Sequence, residues 1–217
     1  MKEFLFNAFY QGKDKESLGA GNCASLALIK AAMFAFEFNV FSYHKVQDTY
    51  HVNLKNGEYL TFTDSELFYA SKESSFLLGK YVNSSEKEVF EKIRSYAHLC
   101  FTVICKMAQK NGDYSSRFKK FIIPETFELA VEIINDGTGT PEVYEFLGLE
   151  NNVTPAYRTK LVTKMREPYG MVMWTAAHAM YANNGYFDLY GKKQRFKGRV
   201  MISLPGKIAT GLFQVKP

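Results

Sequence analysis

The sequence predicts an α+β protein with a mainly helical lobe over residues 1–150 and a mainly strand lobe over 151–217. Three observations predict this class: an apolar helix near the N-terminus, a long amphipathic helix near residue 100, and strand patterns that begin at Met171. Helices and strands occupy separate stretches, which is typical of α+β proteins. We expect one domain of 217 residues, with the helical lobe packed on a C-terminal antiparallel sheet.

The first strong element begins at Gly21-Asn22-Cys23 and continues through Met33. Good helix formers dominate this segment, which is apolar nearly all round, so we expect a helix buried at the centre of the domain. The Gly-Asn pair predicts a flexible approach to the helix. Cys23 therefore falls at or near the first helical turn.

Local patterns predict three further elements of the chain. Asn56-Gly57 separates two runs of alternating residues, which predicts a β-hairpin near residues 50–62. A short helix is predicted from Pro124 to Asn135, ended by Asp136-Gly137. Thr154-Pro155 combines a cap with a first-turn proline, and this order predicts another helix running toward Arg166.

A long amphipathic helix is predicted after Ser85-Glu86-Lys87-Glu88, which has the pattern of a capping box. Asn111-Gly112 is expected to end it. His98 falls off the apolar stripe, so we expect it at the surface. We interpret Cys100 and Cys105 as core or half-buried thiols of this helix.

The last third of the chain has sequence patterns typical of β-strands. The predicted strands are Met171–Thr175, Ala177–Ala182, Tyr186–Tyr190 and Arg199–Leu204. Asn183-Asn184-Gly185 predicts a tight hairpin between the second and third strands.

Composition and charge exclude several classes of function. With 47% hydrophobic residues the chain is not intrinsically disordered, and its net charge of +5 is scattered, so we expect no nucleic-acid partner. The most apolar stretch, Cys23 to Phe36, is interrupted by Lys30 and is shorter than the roughly 20 residues that span a bilayer. The segment Met1–Asn7 does not resemble a signal peptide. Three cysteines without an export signal predict a cytoplasmic protein with reduced thiols.

Four residues predict a nucleophilic site. Cys23 lies at a helix N-terminus, where the macrodipole favours the thiolate. His178 begins one predicted strand, and Asp188 lies on the returning strand, where a carboxylate orients an imidazole. Gln11 is placed before the cysteine and is expected to donate its amide to an oxyanion, alongside the Cys23 backbone N–H. In an ideal two-residue hairpin Asp188 does not lie opposite His178, so Asn183 or Asn184 remains an alternative third member.

The order Gln11, Gly21-Asn22-Cys23-Ala24-Ser25-Leu26, Ala177-His178-Ala179 and Asp188 resembles the papain-like cysteine peptidases, most closely the calpain protease core. The resemblance implies a two-lobe fold, with Cys23 as nucleophile, His178 as base, Gln11 in the oxyanion hole and Asp188 as third member. The chain departs from calpains in two places. Ala24 stands where calpains have an aromatic residue, and Asp188 replaces the asparagine of their Asn-Pro-Trp-Gly motif. No match to the calpain calcium sites is present.

The sequence therefore predicts a cysteine peptidase or amidohydrolase that acts on a peptide or protein substrate through an acyl-enzyme. We expect no cofactor and no metal, because the chain has no Cys-x-x-Cys pair and its histidines are dispersed. Transfer of the acyl group to an amine uses the same triad and is equally compatible. A catalytically degenerate papain-like scaffold acting as an interaction module is the alternative, and a basic module for an anionic partner is a third. The oligomeric state is left open by the sequence.

Overall fold

The structure is a computed structural model that describes residues 1–12, 21–115, 118–137, 143–157, 164, 166–175, 178–196, 203–204 and 207–217. Helices and antiparallel sheets occur together in it, which confirms the α+β class. The α-helices are α1 (Cys23–Phe36), α2 (Asp64–Glu73), α3 (Ser84–Asn111) and α4 (Phe127–Asp136). The strands are β1 (Phe9–Gln11), β2 (Ser42–Val46), β3 (Thr49–Asn53), β4 (Tyr59–Thr63), β5 (Phe76–Leu78), β6 (Asp113–Ser115), β7 (Lys120–Ile122), β8 (Val153–Tyr157), β9 (Gly170–Thr175), β10 (His178–Asn183), β11 (Tyr186–Leu189), β12 (Lys192–Arg195), β13 (Ser203–Leu204) and β14 (Lys207–Val215).

Helix α1 is the central element of the core. It contacts β9 and β10 of the large sheet and also α3 of the helical part. Every residue from Ser25 to Met33 is buried, as expected for a helix that is apolar nearly all round. The helix therefore lies between the large sheet and α3, and Cys23 is its first residue.

The large sheet has the strand order β12-β11-β10-β9-β14-β13, and β8 also pairs with β14. All of these pairings are antiparallel. Asn184 and Gly185 join β10 to β11 with φ values of 44° and 81°, as a two-residue hairpin of type I′ requires. The predicted tight hairpin is confirmed. Ala177, the first residue of one predicted strand, lies outside the described residues, and so do residues 199–202 of the predicted strand Arg199–Leu204.

The predicted hairpin near residues 50–62 is also confirmed. Strands β3 and β4 pair through the Asn56-Gly57 turn, where Gly57 has φ 90°. The sequence patterns did not indicate β2, which adds a third, wholly exposed strand to this sheet. Local alternation predicts a hairpin well, but an exposed edge strand lacks the buried face that produces such a pattern.

The helix predicted to begin at Thr154-Pro155 is wrong at its start, because these residues belong to β8. Strand β8 pairs with β14, with Pro155 opposite Phe213. The cap-and-proline pattern involves only neighbouring residues. It does not report the pairing with β14, which comes from the other end of the sequence and makes this segment a strand. Residues 158–163, which the predicted helix also includes, lie outside the described part of the chain.

Two smaller expectations for the helices need correction. Helix α3 begins at Ser84 rather than after Ser85, because the Asn83 side chain accepts a hydrogen bond from Glu86 N and serves as the N-cap. Helix α4 likewise begins at Phe127, behind the N-cap Thr126, and not at Pro124.

His98 is half-buried rather than exposed at the surface as expected. Its ring stacks on Phe76 with ring centroids 5.8 Å apart, and its Nε2 atom is buried. Strand β5, which carries Phe76, covers a flank of α3 that the apolar stripe did not mark. Burial and, to a smaller extent, the nearby Arg94 lower the pKa of His98 to about 4.

Candidate active site

The approach to Cys23 is anchored, in contrast to the flexible approach that the Gly-Asn pair predicted. Asn22 is buried, and its Nδ2 donates to Ser74 O at 2.9 Å and to Asn135 Oδ1 at 2.8 Å. Gly21 donates its backbone N–H to Asn135 O, and a Cβ at Gly21 would lie 2.7 Å from the backbone of Asp136. These contacts tie the start of α1 to the ends of α2 and α4.

Cys23 is the first residue of α1 and is half-buried. Its Sγ accepts a hydrogen bond from the backbone N–H of Ala179 at 3.4 Å. The helix N-terminus and this N–H both present positive partial charge to the sulfur, which favours a thiolate. The contact also brings the cysteine next to the residue that follows His178.

His178 is the first residue of β10 and is half-buried. Thr175 Oγ1, on the neighbouring strand β9, donates to the His178 carbonyl oxygen at 3.3 Å. The imidazole stacks on the ring of Tyr190, with centroids 5.3 Å apart and an interplanar angle of 24°. These contacts orient His178 beside the N-terminus of α1.

Asp188 lies on β11 and is almost completely buried. Its Oδ1 accepts a hydrogen bond from the backbone N–H of Gly191 at 2.7 Å, and its Oδ2 pairs with Lys30 Nζ at 2.5 Å. Gly191 has φ 78°, and a Cβ there would lie 2.9 Å from the Tyr10 ring, so the turn that holds Oδ1 requires glycine. The carboxylate is therefore held at both oxygens.

Gln11 is the last residue of β1 and is buried. Strand β1 pairs with β5, with Gln11 opposite Phe76. The next residue, Gly12, donates its N–H to Ser75 O at 2.8 Å. The backbone at Gln11 and Gly12 is therefore held against the segment that leads out of α2.

The structure brings all four predicted residues to one cavity. Gln11, Cys23, His178 and Asp188 line it together with Leu26 and with the residues that follow His178. Three tyrosines complete the lining: Tyr10, Tyr181 and Tyr190. Burial, with a contribution from Asp188, raises the pKa of Tyr181, so its phenol stays neutral.

The other two cysteines differ from Cys23 in their surroundings. Cys100 and Cys105 lie within α3 and have no exposed surface, as expected for core thiols. Burial raises the pKa of both thiols. All three cysteines are free of disulfides.

Lys30 is the site residue that sequence reasoning did not identify. The pattern marked it only as an interruption of an apolar stretch. A lysine surrounded by buried positions must find an anionic or carbonyl partner, and this signal could have indicated a buried ion pair without naming the partner. Burial lowers the pKa of Lys30, and the charge of Asp188 acts against that shift.

Within the described ranges, no three His, Cys, Asp or Glu side chains lie close enough together to hold a metal ion. No helix in the described part of the chain has the length and apolar character needed to cross a membrane. No family model matches the chain, and no curated protein or solved structure matches it. The resemblance to papain-like peptidases stays a prediction.

Proposed function

We propose that the chain is a papain-like cysteine peptidase or amidohydrolase that works through an acyl-enzyme. The observation that carries the proposal is the shared cavity of Gln11, Cys23, His178 and Asp188, residues from four different elements of the fold. Cys23 has the helix N-terminus and the Ala179 N–H around its sulfur. The two fully buried cysteines have no such surroundings.

In the proposed reaction His178 removes the proton from the Cys23 thiol. The thiolate attacks the carbonyl carbon of an amide, and the resulting oxyanion accepts hydrogen bonds from the Gln11 amide and the Cys23 backbone N–H. The tetrahedral intermediate collapses, the C–N bond breaks, and the imidazolium of His178 gives its proton to the leaving amine. Water activated by His178 then attacks the thioester and releases the acid and the free thiol.

Asp188 takes the role of the orienting carboxylate in this proposal. It is held at both oxygens and lines the same cavity as His178. A fixed negative charge at that place stabilises the imidazolium that forms during the reaction. An amine in place of water would take the same acyl group, so a peptidase and an acyltransferase share every step except the last.

The test is the pH dependence of alkylation of Cys23 by iodoacetamide, measured by mass spectrometry. We expect Cys23 to react at a pH well below the roughly 8.5 pKa of a free thiol. Cys100 and Cys105 have no exposed surface, so they react only if the protein unfolds and serve as an internal control of folding.

His178→Ala should move the Cys23 profile to higher pH. His44→Ala, at an exposed histidine of β2, is the matched control and should leave the profile unchanged. An ordinary thiol profile for Cys23, or equal effects of the two histidine variants, would contradict the proposal and favour a catalytically degenerate scaffold.

Turnover is tested with a panel of fluorogenic peptide amides. Cys23→Ala should abolish cleavage while the circular dichroism spectrum and the protection of Cys100 remain unchanged. Cleavage that persists in this variant would show that Cys23 is not the nucleophile. Addition of a primary amine as acceptor separates hydrolysis from acyl transfer by the product formed.

A further inference from the structure

Lys30 lies about two helical turns beyond Cys23 on α1. Its side chain has no exposed surface. The Nζ atom contacts Asp188 Oδ2 at 2.5 Å, Phe9 O at 2.6 Å and Phe6 O at 3.2 Å. A lysine ammonium has three N–H donors, so these three acceptors satisfy it completely.

The three contacts join three separate parts of the chain. Lys30 itself belongs to α1, Phe9 belongs to β1, and Asp188 belongs to β11. Gln11 follows Phe9 by two residues on β1, and the Lys30 Nζ also lies 4.7 Å from the centroid of the Phe9 ring. One ammonium group therefore connects the elements that carry the nucleophile, the oxyanion donor and the orienting carboxylate.

A buried ion pair is by itself weak evidence for added stability. Removing two charges from water is costly, and well-packed apolar residues of similar volume are often as stabilising as a buried ion pair. Apolar residues would leave no directional contact between α1, β1 and β11. The ion pair supplies a fixed direction at each of its contacts, which apolar packing does not.

We propose that Lys30 is a positioning residue of the site, which holds Asp188 and the Gln11 strand in register with Cys23. The inference rests on the proposed function. Lys30 acts on Asp188 directly, by holding Oδ2 while Gly191 holds Oδ1. It acts on Gln11 through the carbonyl of Phe9, and it has no contact with the reacting atoms.

The experiment compares the wild-type chain with Lys30→Met, which removes the ammonium and leaves the Asp188 carboxylate in the site. The matched control is Lys45→Met, at an exposed ion pair in which Lys45 contacts Asp64 at 2.6 Å. Alkylation of Cys23 is measured across pH, and protection of Cys100 and Cys105 reports the fold.

If Lys30 positions the site, Lys30→Met stays folded and its Cys23 reacts at least tenfold more slowly at pH 6 than the wild-type thiol. The control retains the wild-type profile. In peptide cleavage we expect kcat to fall while KM changes little, because the loss concerns groups that act in the transition state. A folded Lys30→Met protein with the wild-type profile would overturn the inference.

A second substitution covers the case in which Lys30→Met does not fold. Lys30→Gln keeps a polar side chain with N–H donors and removes the positive charge, and the same Cys23 profile is measured for it. If Cys100 and Cys105 become reactive in both variants, Lys30 is required for the fold itself and the inference is wrong. An ordinary profile for wild-type Cys23 would instead contradict the proposed function, so the two failures are distinguishable.

Discussion

Two regions of the molecule bury titratable side chains, and they differ in whether the buried group has a partner of opposite charge. Beside Cys23, Lys30 and Asp188 form an ion pair in which every donor of the ammonium has an acceptor. At α3 and the strand that follows it, half-buried His98 and buried Asp113 form no ion pair within the described part of the chain. Their Nε2 and Oδ2 atoms have no hydrogen-bond partner among the described residues.

The pKa values express this difference. Burial lowers the pKa of His98 to about 4 and raises the pKa of Asp113 to about 6. Both shifts move the group toward its neutral form, which is the ordinary response to a low dielectric. Burial lowers the pKa of Lys30 too, but there the charge of Asp188 acts against the shift and three acceptors surround the Nζ atom, which indicates that position matters at the candidate site in addition to packing.

The largest expected effect comes from leaving one charge of the ion pair alone. Asp188→Ala leaves the Lys30 ammonium in the core without its anionic partner. Removal of one partner of a buried ion pair lowers the free energy of unfolding by about 3–5 kcal/mol. Urea unfolding should show a loss of that size, whereas Lys30→Met/Asp188→Leu loses much less. A loss below about 1 kcal/mol for the single variant would mean that Lys30 sheds its proton readily.

Acidification should destabilise the region around His98. Its folded pKa of about 4 lies below its ordinary 6.5, so the unfolded chain binds a proton that the folded chain does not. Stability therefore falls as the pH drops from 6.5 toward 4, by about 1.4 kcal/mol for each unit of difference.

The check on this prediction is His98→Phe, which retains a ring against Phe76 and removes the titration. Urea midpoints of wild type and variant are compared at pH 7.5 and pH 5. The wild type should lose more stability than the variant on acidification, and parallel losses would show that His98 does not contribute.

Asp113 should act with the opposite sign. Its folded pKa of about 6 lies above the ordinary 3.8, so the stability linked to its proton is present below pH 3.8 and is lost as the pH rises through 6. Asp113→Asn keeps an oxygen for the Tyr114 N–H, which Oδ1 accepts at 2.7 Å. We expect the variant to be more stable than wild type by about 1–2 kcal/mol at pH 7.5, with the gain absent at pH 4. An equal gain at both pH values would point to packing rather than charge.

The smallest effect is expected at the exposed pair of Lys45 and Asp64. The two side chains are 39% and 50% exposed, and exposed ion pairs contribute little because water and salt screen them. Lys45→Met should leave the urea midpoint unchanged within error at 0.15 M salt. A clear loss would mean that the difference between buried and exposed pairs is smaller than proposed here.

Most of the site residues were within reach of sequence reasoning because their signals are local or ordered along the chain. Cys23 was placed at a helix start by the Gly-Asn pair and the apolar run after it, and His178 and Asp188 were placed on adjacent strands by the Asn-Gly turn. Gln11 was placed by order alone, and the structure brings it to the same cavity. Tyr190, which stacks on His178, was predicted as the end of a strand and not as a site residue, and it lies in the turn after β11.

The sequence by itself determined the elements whose cause is local: the buried helix α1, the two hairpins with Asn-Gly turns, and the α+β class. Periodicity and turn chemistry act over a few neighbouring residues, so they can be read without knowledge of the fold. Tertiary structure decided which distant segments meet. It paired β8 with β14, covered His98 with Phe76, and placed Asp188 against Lys30 across 158 positions of sequence. Such partners are selected by packing of the whole chain, since nothing in the neighbourhood of either residue specifies the other.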